Sequence, residues 1–222
     1  MERYRLLILD TKIQFNESYI LEVPINIGQF PIGNQVIDNI QARIQIGQSP
    51  VNLDDLNPGL RKIGNGNIIY YWIQDTNNLI QLAVELEKTA YCLIVKIISK
   101  TSERGQPPYA SELYPLILHD QRSQNTQAEI RLSSDNMLSD DGFAIWKKMF
   151  DDGLKILVYD ATDPSKTFIH ITSSKELEKY FSKDLASKKW QYLLTESIDQ
   201  LGDTISRFNR YRLLELAGLL ST

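Results

Sequence analysis

The clearest hydrophobic pattern in the chain falls between residues 68 and 99. "IIYYWIQD", "LIQLAVELE" and "AYCLIVKIIS" are β-branched and aromatic runs, joined by "TNN" and then by "KT". Links that short connect neighbouring strands as hairpins, so the pattern predicts an antiparallel meander over roughly 68–75, 79–87 and 90–99. Downstream the period changes. In "LSDDGFAIWKKMFDDGLKILVYD", Phe143, Trp146 and Phe150 recur at helical spacing, with Ile145 and Met149 beside them. Ser139 is placed to cap that helix, Asp140 and Asp141 suit its positive end, and Gly153 suits its exit into the strand "KILVYD".

Other segments are less sharply patterned. "RYRLLILD" and "SYILEVPINI" have strand composition, and Pro24 favours an edge or a bulge. "QVIDNIQARIQI" is ambiguous, because Ile37, Ile40 and Ile44 keep helical spacing while Ile44 and Ile46 alternate. "NLDDLNPGLRKIGNGN" is dense in turn formers and reads as a long loop or a boundary. A helix is expected from about Ala110 or Ser111, with Pro115 awkward in its second turn. "AEIRLSS", "FIHIT" and "WQYLLTES" follow as strands, "SSKELEKYFSKDL" as a capped helix, and the C-terminal "SIDQLGDTISRFNRYRLLELAGLL" as a longer one. The expected fold is therefore α+β, with a mixed, mainly antiparallel sheet flanked by helices. Residues 1–60 read as a β-rich extension and 61–222 as the main domain.

Composition narrows the function classes. The chain has 222 residues, 42% of them hydrophobic and 23% charged, and needs neither disulfides nor a metal to close a core. One cysteine, Cys92, cannot make an internal disulfide and fits a reducing, cytoplasmic setting. Two histidines with one cysteine supply no zinc set. At net charge −4 with acids and bases interspersed, no basic stripe is present to grip a phosphate backbone, which disfavours nucleic acid. The start of the chain is too charged for a signal peptide, and no apolar run reaches the ~18 residues of a membrane span.

The candidate chemistry lies in "KTSERGQPPYASELYPLIL", where a strand ends, a Gly- and Pro-bearing turn follows and a helix begins. Free amides at a helix start, with a nearby cation, make an anion site. Taken with the order of the elements from residue 68, the chain resembles the central part of the GNAT family of N-acetyltransferases over about residues 68–160. That resemblance implies an acetyltransferase-like fold and acetyl-CoA as acyl donor. It implies a cofactor site of Ile97 and Ile98 on the strand, then Arg104, Gly105, Gln106, Tyr109, Ala110 and Ser111, with Asn136 further on. An amine of unknown identity would be the acceptor. Glu85 and Glu87 are the candidate bases, and Tyr109 and Tyr159 the candidate acids toward the CoA thiolate. The chain departs from the family pattern in two places. Pro107 and Pro108 stand where free amides are wanted, and Trp146 stands near where the family has an acidic hydroxyl.

Two rival readings stand beside this one. Asp75, Glu85 and Glu87 on adjacent strands resemble a carboxylate set of a Mg²⁺-dependent nuclease, or else the solvated face of an amphipathic strand. Tyr70, Tyr71 and Trp72 would serve a non-catalytic interaction protein if one strand face were exposed, and are core if both are covered. Leu213, Leu216 and Leu220 on the terminal helix offer a dimer contact.

Overall fold

The three runs that open the pattern become three neighbouring strands, and the rest of the sheet is laid down on either side of them. A computed structural model of the chain describes residues 35–90, 92–101, 105–124, 130–135, 138–162, 167–181, 189–197 and 199–207. All of these belong to one compact unit within residues 32–222. In chain order the elements are α1 (Gln35–Gln45), β1 (Val51–Asn52), β2 (Leu60–Asn65), β3 (Ile68–Gln74), β4 (Ile80–Lys88), β5 (Cys92–Lys100) and α2 (Ala110–Gln124). Then follow β6 (Arg131–Ser134), α3 (Asp140–Asp151), β7 (Ile156–Asp160), β8 (Ile169–His170), α4 (Ser174–Glu178) and β9 (Trp190–Leu194), with a helix over 199–207.

Among the described residues the sheet has nine strands in the order β1-β2-β3-β4-β5-β6-β9-β7-β8. Strands β1 to β5 are antiparallel, β5 and β6 are parallel, and the remaining pairs are antiparallel. The fold is thus α+β with a mixed, mainly antiparallel sheet, as the hydrophobic pattern predicts. The strand candidates before residue 35 and the leucines at 213, 216 and 220 lie outside the described residues.

Two segments that the pattern leaves open are settled by the structure. "QVIDNIQARIQ" is a helix: Val36, Ile37 and Ile40 are buried against the sheet, while Ile44 and Ile46 are exposed. The segment expected as one long loop contains β2. Its turn formers serve strand geometry there, since a Cβ on Gly64 would stand 2.9 Å from the Ile68 carbonyl oxygen, and Gly66 turns the hairpin with φ +66°.

The sheet separates two apolar clusters. On one face Leu82, Val84 and Leu86 of β4 pack with Leu113, Ile117 and Trp146 from α2 and α3. On the other, Tyr70, Trp72 and Ala83 lie under Val36, Ile37 and Ile40 of α1. The aromatic triplet is therefore covered on both faces and presents no docking surface. Tyr71 also makes a polar anchor, its hydroxyl donating to Asp120 Oδ2 of α2 at 2.5 Å while Lys62 Nζ stands 2.8 Å from the same oxygen. Pro115 is accommodated inside α2 and is buried; lacking an amide, it leaves the Ser111 carbonyl without its intrahelical donor. Ser139 caps α3 by accepting from the Gly142 amide at 3.1 Å, and Gly153 (φ +89°) carries the chain out of it.

Candidate functional site

Strand β5 changes character partway along. From Leu93 to Val95 it is paired on both sides, with β4 and with β6, and the β6 pairing stops at Val95 and Ser134. Lys96 is then an extra residue: Leu86 of β4 faces Val95, while the adjacent Glu85 faces Ile97. This bulge displaces the alternation by one. Ile97 therefore packs with the α1 cluster and Ile98 with the α2–α3 cluster, although Leu93 and Val95 both belong to the latter. Beyond the bulge, β5 pairs among the described residues with β4 alone.

A cavity of about 840 Å³ opens at this divergence. Its walls come from β5 (Ile97, Ile98, Lys100), the turn and first residues of α2 (Gly105, Tyr109, Ala110, Ser111), the end of β6 (Ser134, Asp135) and α3 (Asp141, Ala144, Lys148). The amides of Glu112 and Leu113 donate to the Tyr109 carbonyl at 3.1 Å. Those of Ala110 and Ser111 have no acceptor among the described residues, as expected for the first turn of a helix.

Three lysines and two aspartates set the charge of the walls. Lys96 pairs with Glu87 at 3.3 Å and Lys148 pairs with Asp152. Lys100 has no carboxylate partner among the described residues. Its ammonium donates to the Gln106 carbonyl and lies 5.4 Å from the centre of the Tyr109 ring. Partial burial pulls its pKa below the ordinary lysine value. Deeper in, Tyr114 is fully buried, and its phenol keeps its proton because burial, with the Asp135 carboxylate adding to it, disfavours the phenolate.

Of the residues singled out in the sequence, Ile97, Ile98, Gly105, Tyr109, Ala110 and Ser111 meet in this cavity. Gln106 contributes its carbonyl to Lys100 and does not line it. Arg104 and Asn136 lie outside the described residues. The candidate acid–base residues are elsewhere. Glu85 is on the α1 face, where it accepts from Asn39 Nδ2 at 3.3 Å, and Glu87 is tied to Lys96 at the surface. Tyr159 points away from α2 and α3, donating to Gln191, with its pKa raised chiefly by burial. Tyr109 is at the mouth, its hydroxyl donating to the Gly105 carbonyl at 3.1 Å. The carboxylates grouped in the nuclease reading are likewise dispersed: Asp75 closes the β3–β4 turn by accepting from the amides of Asn77 and Leu79 at 2.8 and 2.9 Å. Among the described residues, no three His, Cys, Asp or Glu side chains converge as a metal site.

Sequence reasoning missed Lys96, Lys100, Tyr114 and Asp135. Lys100 carried the one available signal, a cation at the end of an apolar run, immediately before the turn. Among the described residues no helix is long and apolar enough to cross a membrane. No protein-family model matches the chain and no curated protein matches it, so the functional reading rests on this geometry.

Proposed function

We propose that the protein is an acyl-CoA-dependent N-acetyltransferase and that the cavity between β5 and β6 holds acetyl-CoA. The observation that carries this reading is the divergence of the two strands. Among the described residues it leaves a strand edge without a partner, a helix start with unpaired amides and a lysine without a carboxylate, all on one cavity of a size that suits a cofactor. A pyrophosphate meets the Ala110 and Ser111 amides and the Lys100 ammonium, since a helix N-terminus carries partial positive charge. An extended amide-bearing arm then adds to the free edge of Ile97–Lys100 as a strand would. The element order from β3 onward, which underlies the acetyltransferase resemblance, supports the same assignment.

In this arrangement the acceptor amine, once deprotonated, attacks the thioester carbonyl, and backbone donors polarise the carbonyl oxygen. The carboxylates in the cavity walls are Asp135 and Asp141, so these, rather than Glu85 or Glu87, meet an incoming amine. Tyr114 is the buried phenol in the wall, and its retained proton suits it to hydrogen-bond the departing sulfur. Isothermal titration of the chain with acetyl-CoA, with ATP as control, tests the reading. Saturable micromolar binding selective for the CoA compound supports it, and absence of heat at high ligand concentration removes it. If acetyl-CoA binds but no labelled acetyl group reaches any amine offered, the protein is a non-catalytic binder on the same fold.

A further inference from the structure

A second cavity, of about 520 Å³, lies on the opposite face of the sheet, between α1 and the β3–β4 end of the meander. Its walls are mainly apolar: Ile37 and Ile44 from α1, Trp72 from β3, and Leu79 and Ile80 at the start of β4. Ile44 and Leu79 remain 42% and 61% exposed, so a ligand in the cavity covers apolar surface that the fold leaves in water. The polar groups of the wall are largely satisfied by one another. The Trp72 indole N–H donates to Gln74 Oε1 at 3.0 Å, Gln74 Nε2 to Asn78 Oδ1 at 2.8 Å, and Thr101 Oγ1 to the Ile80 carbonyl at 2.8 Å.

Arg61 is the exception and the only charged side chain among the described residues of the wall. It stands on β2 directly across from Trp72. One nitrogen, Nη1, is fully used: it lies 2.6 Å from Asp54 Oδ1, 3.1 Å from Asn52 Oδ1 and 2.8 Å from the Leu60 carbonyl. The same contact holds the Asp54 carboxyl down at about 2, with the Gly59 amide assisting, so Asp54 stays ionised and keeps the guanidinium oriented. The Nε and Nη2 donors have no partner among the described residues. A planar fork held on one side with its remaining donors unused matches a carboxylate, which takes two parallel N–H···O bonds.

We propose that this cavity is a binding site for a small organic acid with an apolar body, its carboxylate on Arg61 and its hydrocarbon part against Ile37, Ile44, Trp72 and Leu79. The unused Nε and Nη2 donors favour a carboxylate, and the apolar walls select against a bare inorganic anion. The site does not depend on acyl-CoA binding on the other face, and its test uses no CoA compound.

The test is calorimetric titration of the full chain with 3-phenylpropanoate and, separately, with the near-isosteric neutral 3-phenylpropanamide. The acid is expected to bind at least tenfold more tightly than the amide. Arg61→Gln is expected to remove that preference at an unchanged melting temperature. Because Arg61 also anchors Asp54, a second variant guards against misfolding: Leu79→Glu alters a side chain already in water and sets a negative charge at the mouth, so it too is expected to weaken the acid at least tenfold. Equal affinity for acid and amide, no binding of either, or undiminished acid binding in a folded variant each overturns the assignment.

Discussion

The first half of β5, Cys92–Val95, and its second half, Lys96–Lys100, belong to one strand but lie in two environments. The first half lies between β4 and β6, with Leu93 and Val95 buried in the main core. The second half lies beyond the bulge at Lys96, pairs only with β4 and faces a cavity. Backbone groups that are consumed by the sheet in one half are available in the other. A strand therefore becomes a binding element where it loses a neighbour, and it is in that half that Lys96 and Lys100 stand. The structural half should respond to substitution through stability, and the open half through ligand binding.

The largest effect is expected in the paired half. Leu93 is fully buried, and truncating it leaves a cavity among β4, β6 and the helices. Leu93→Ala is expected to lower unfolding free energy by about 2–5 kcal/mol in urea denaturation. Acetyl-CoA affinity per folded molecule should stay unchanged. A binding defect larger than the stability loss accounts for would erase the distinction between the halves.

Next come two substitutions in the walls of the cavity that the open half faces. Gly105 has φ +83° and lines the cavity with nothing within 4 Å of the place a Cβ would occupy. Gly105→Asp therefore costs about 1 kcal/mol in backbone strain, and sets a carboxylate where a phosphate is expected. Calorimetry should find acetyl-CoA binding abolished in a protein that still unfolds cooperatively. Lys100→Gln removes a cation while keeping most of the stem, and is expected to weaken acetyl-CoA by roughly tenfold, the scale of one charge-assisted contact. Unchanged affinity in both variants would leave the cavity without a cofactor role.

The same contrast explains what was legible in the sequence. The meander was readable because "TNN" and "KT" force neighbours to pair and because the acids of "LAVELE" fall on one face. α3 was readable because Ser139, the apolar face from Phe143 to Phe150 and Gly153 all agree. Strand β2 was hidden because Gly64 and Gly66, read as loop formers, serve a close strand approach and a hairpin turn. The site was only half legible, for one reason repeated. "CLIVKIIS" is apolar on both faces, so nothing in it marks the bulge or the face that each later residue takes. The alternation correctly put Glu85 and Glu87 together, but the face they share is the one under α1. The insertion of β9 between β6 and β7 depends on pairing between distant segments and leaves no local mark.

The smallest expected effect concerns the protonation of Lys100. Burial at the cavity mouth disfavours its charged form, so its pKa in the folded protein lies below the ordinary lysine value of about 10.4. The sign for stability follows directly. Folding works against the bound proton, so the penalty is fully present at neutral pH and fades as pH rises through the lowered pKa toward the ordinary one. For binding the sign is opposite, because the phosphate contact needs the proton. Acetyl-CoA affinity should therefore fall by a factor of a few on the alkaline side, beginning below the ordinary lysine range. Lys100→Arg keeps its charge throughout, since a guanidinium does not titrate there. The variant should bind acetyl-CoA with no such decline when titrated across the same alkaline range. If the wild type and Lys100→Arg lose affinity together as pH rises, the lysine is not the group that holds the phosphate, and the anion contact must be assigned to the helix amides alone.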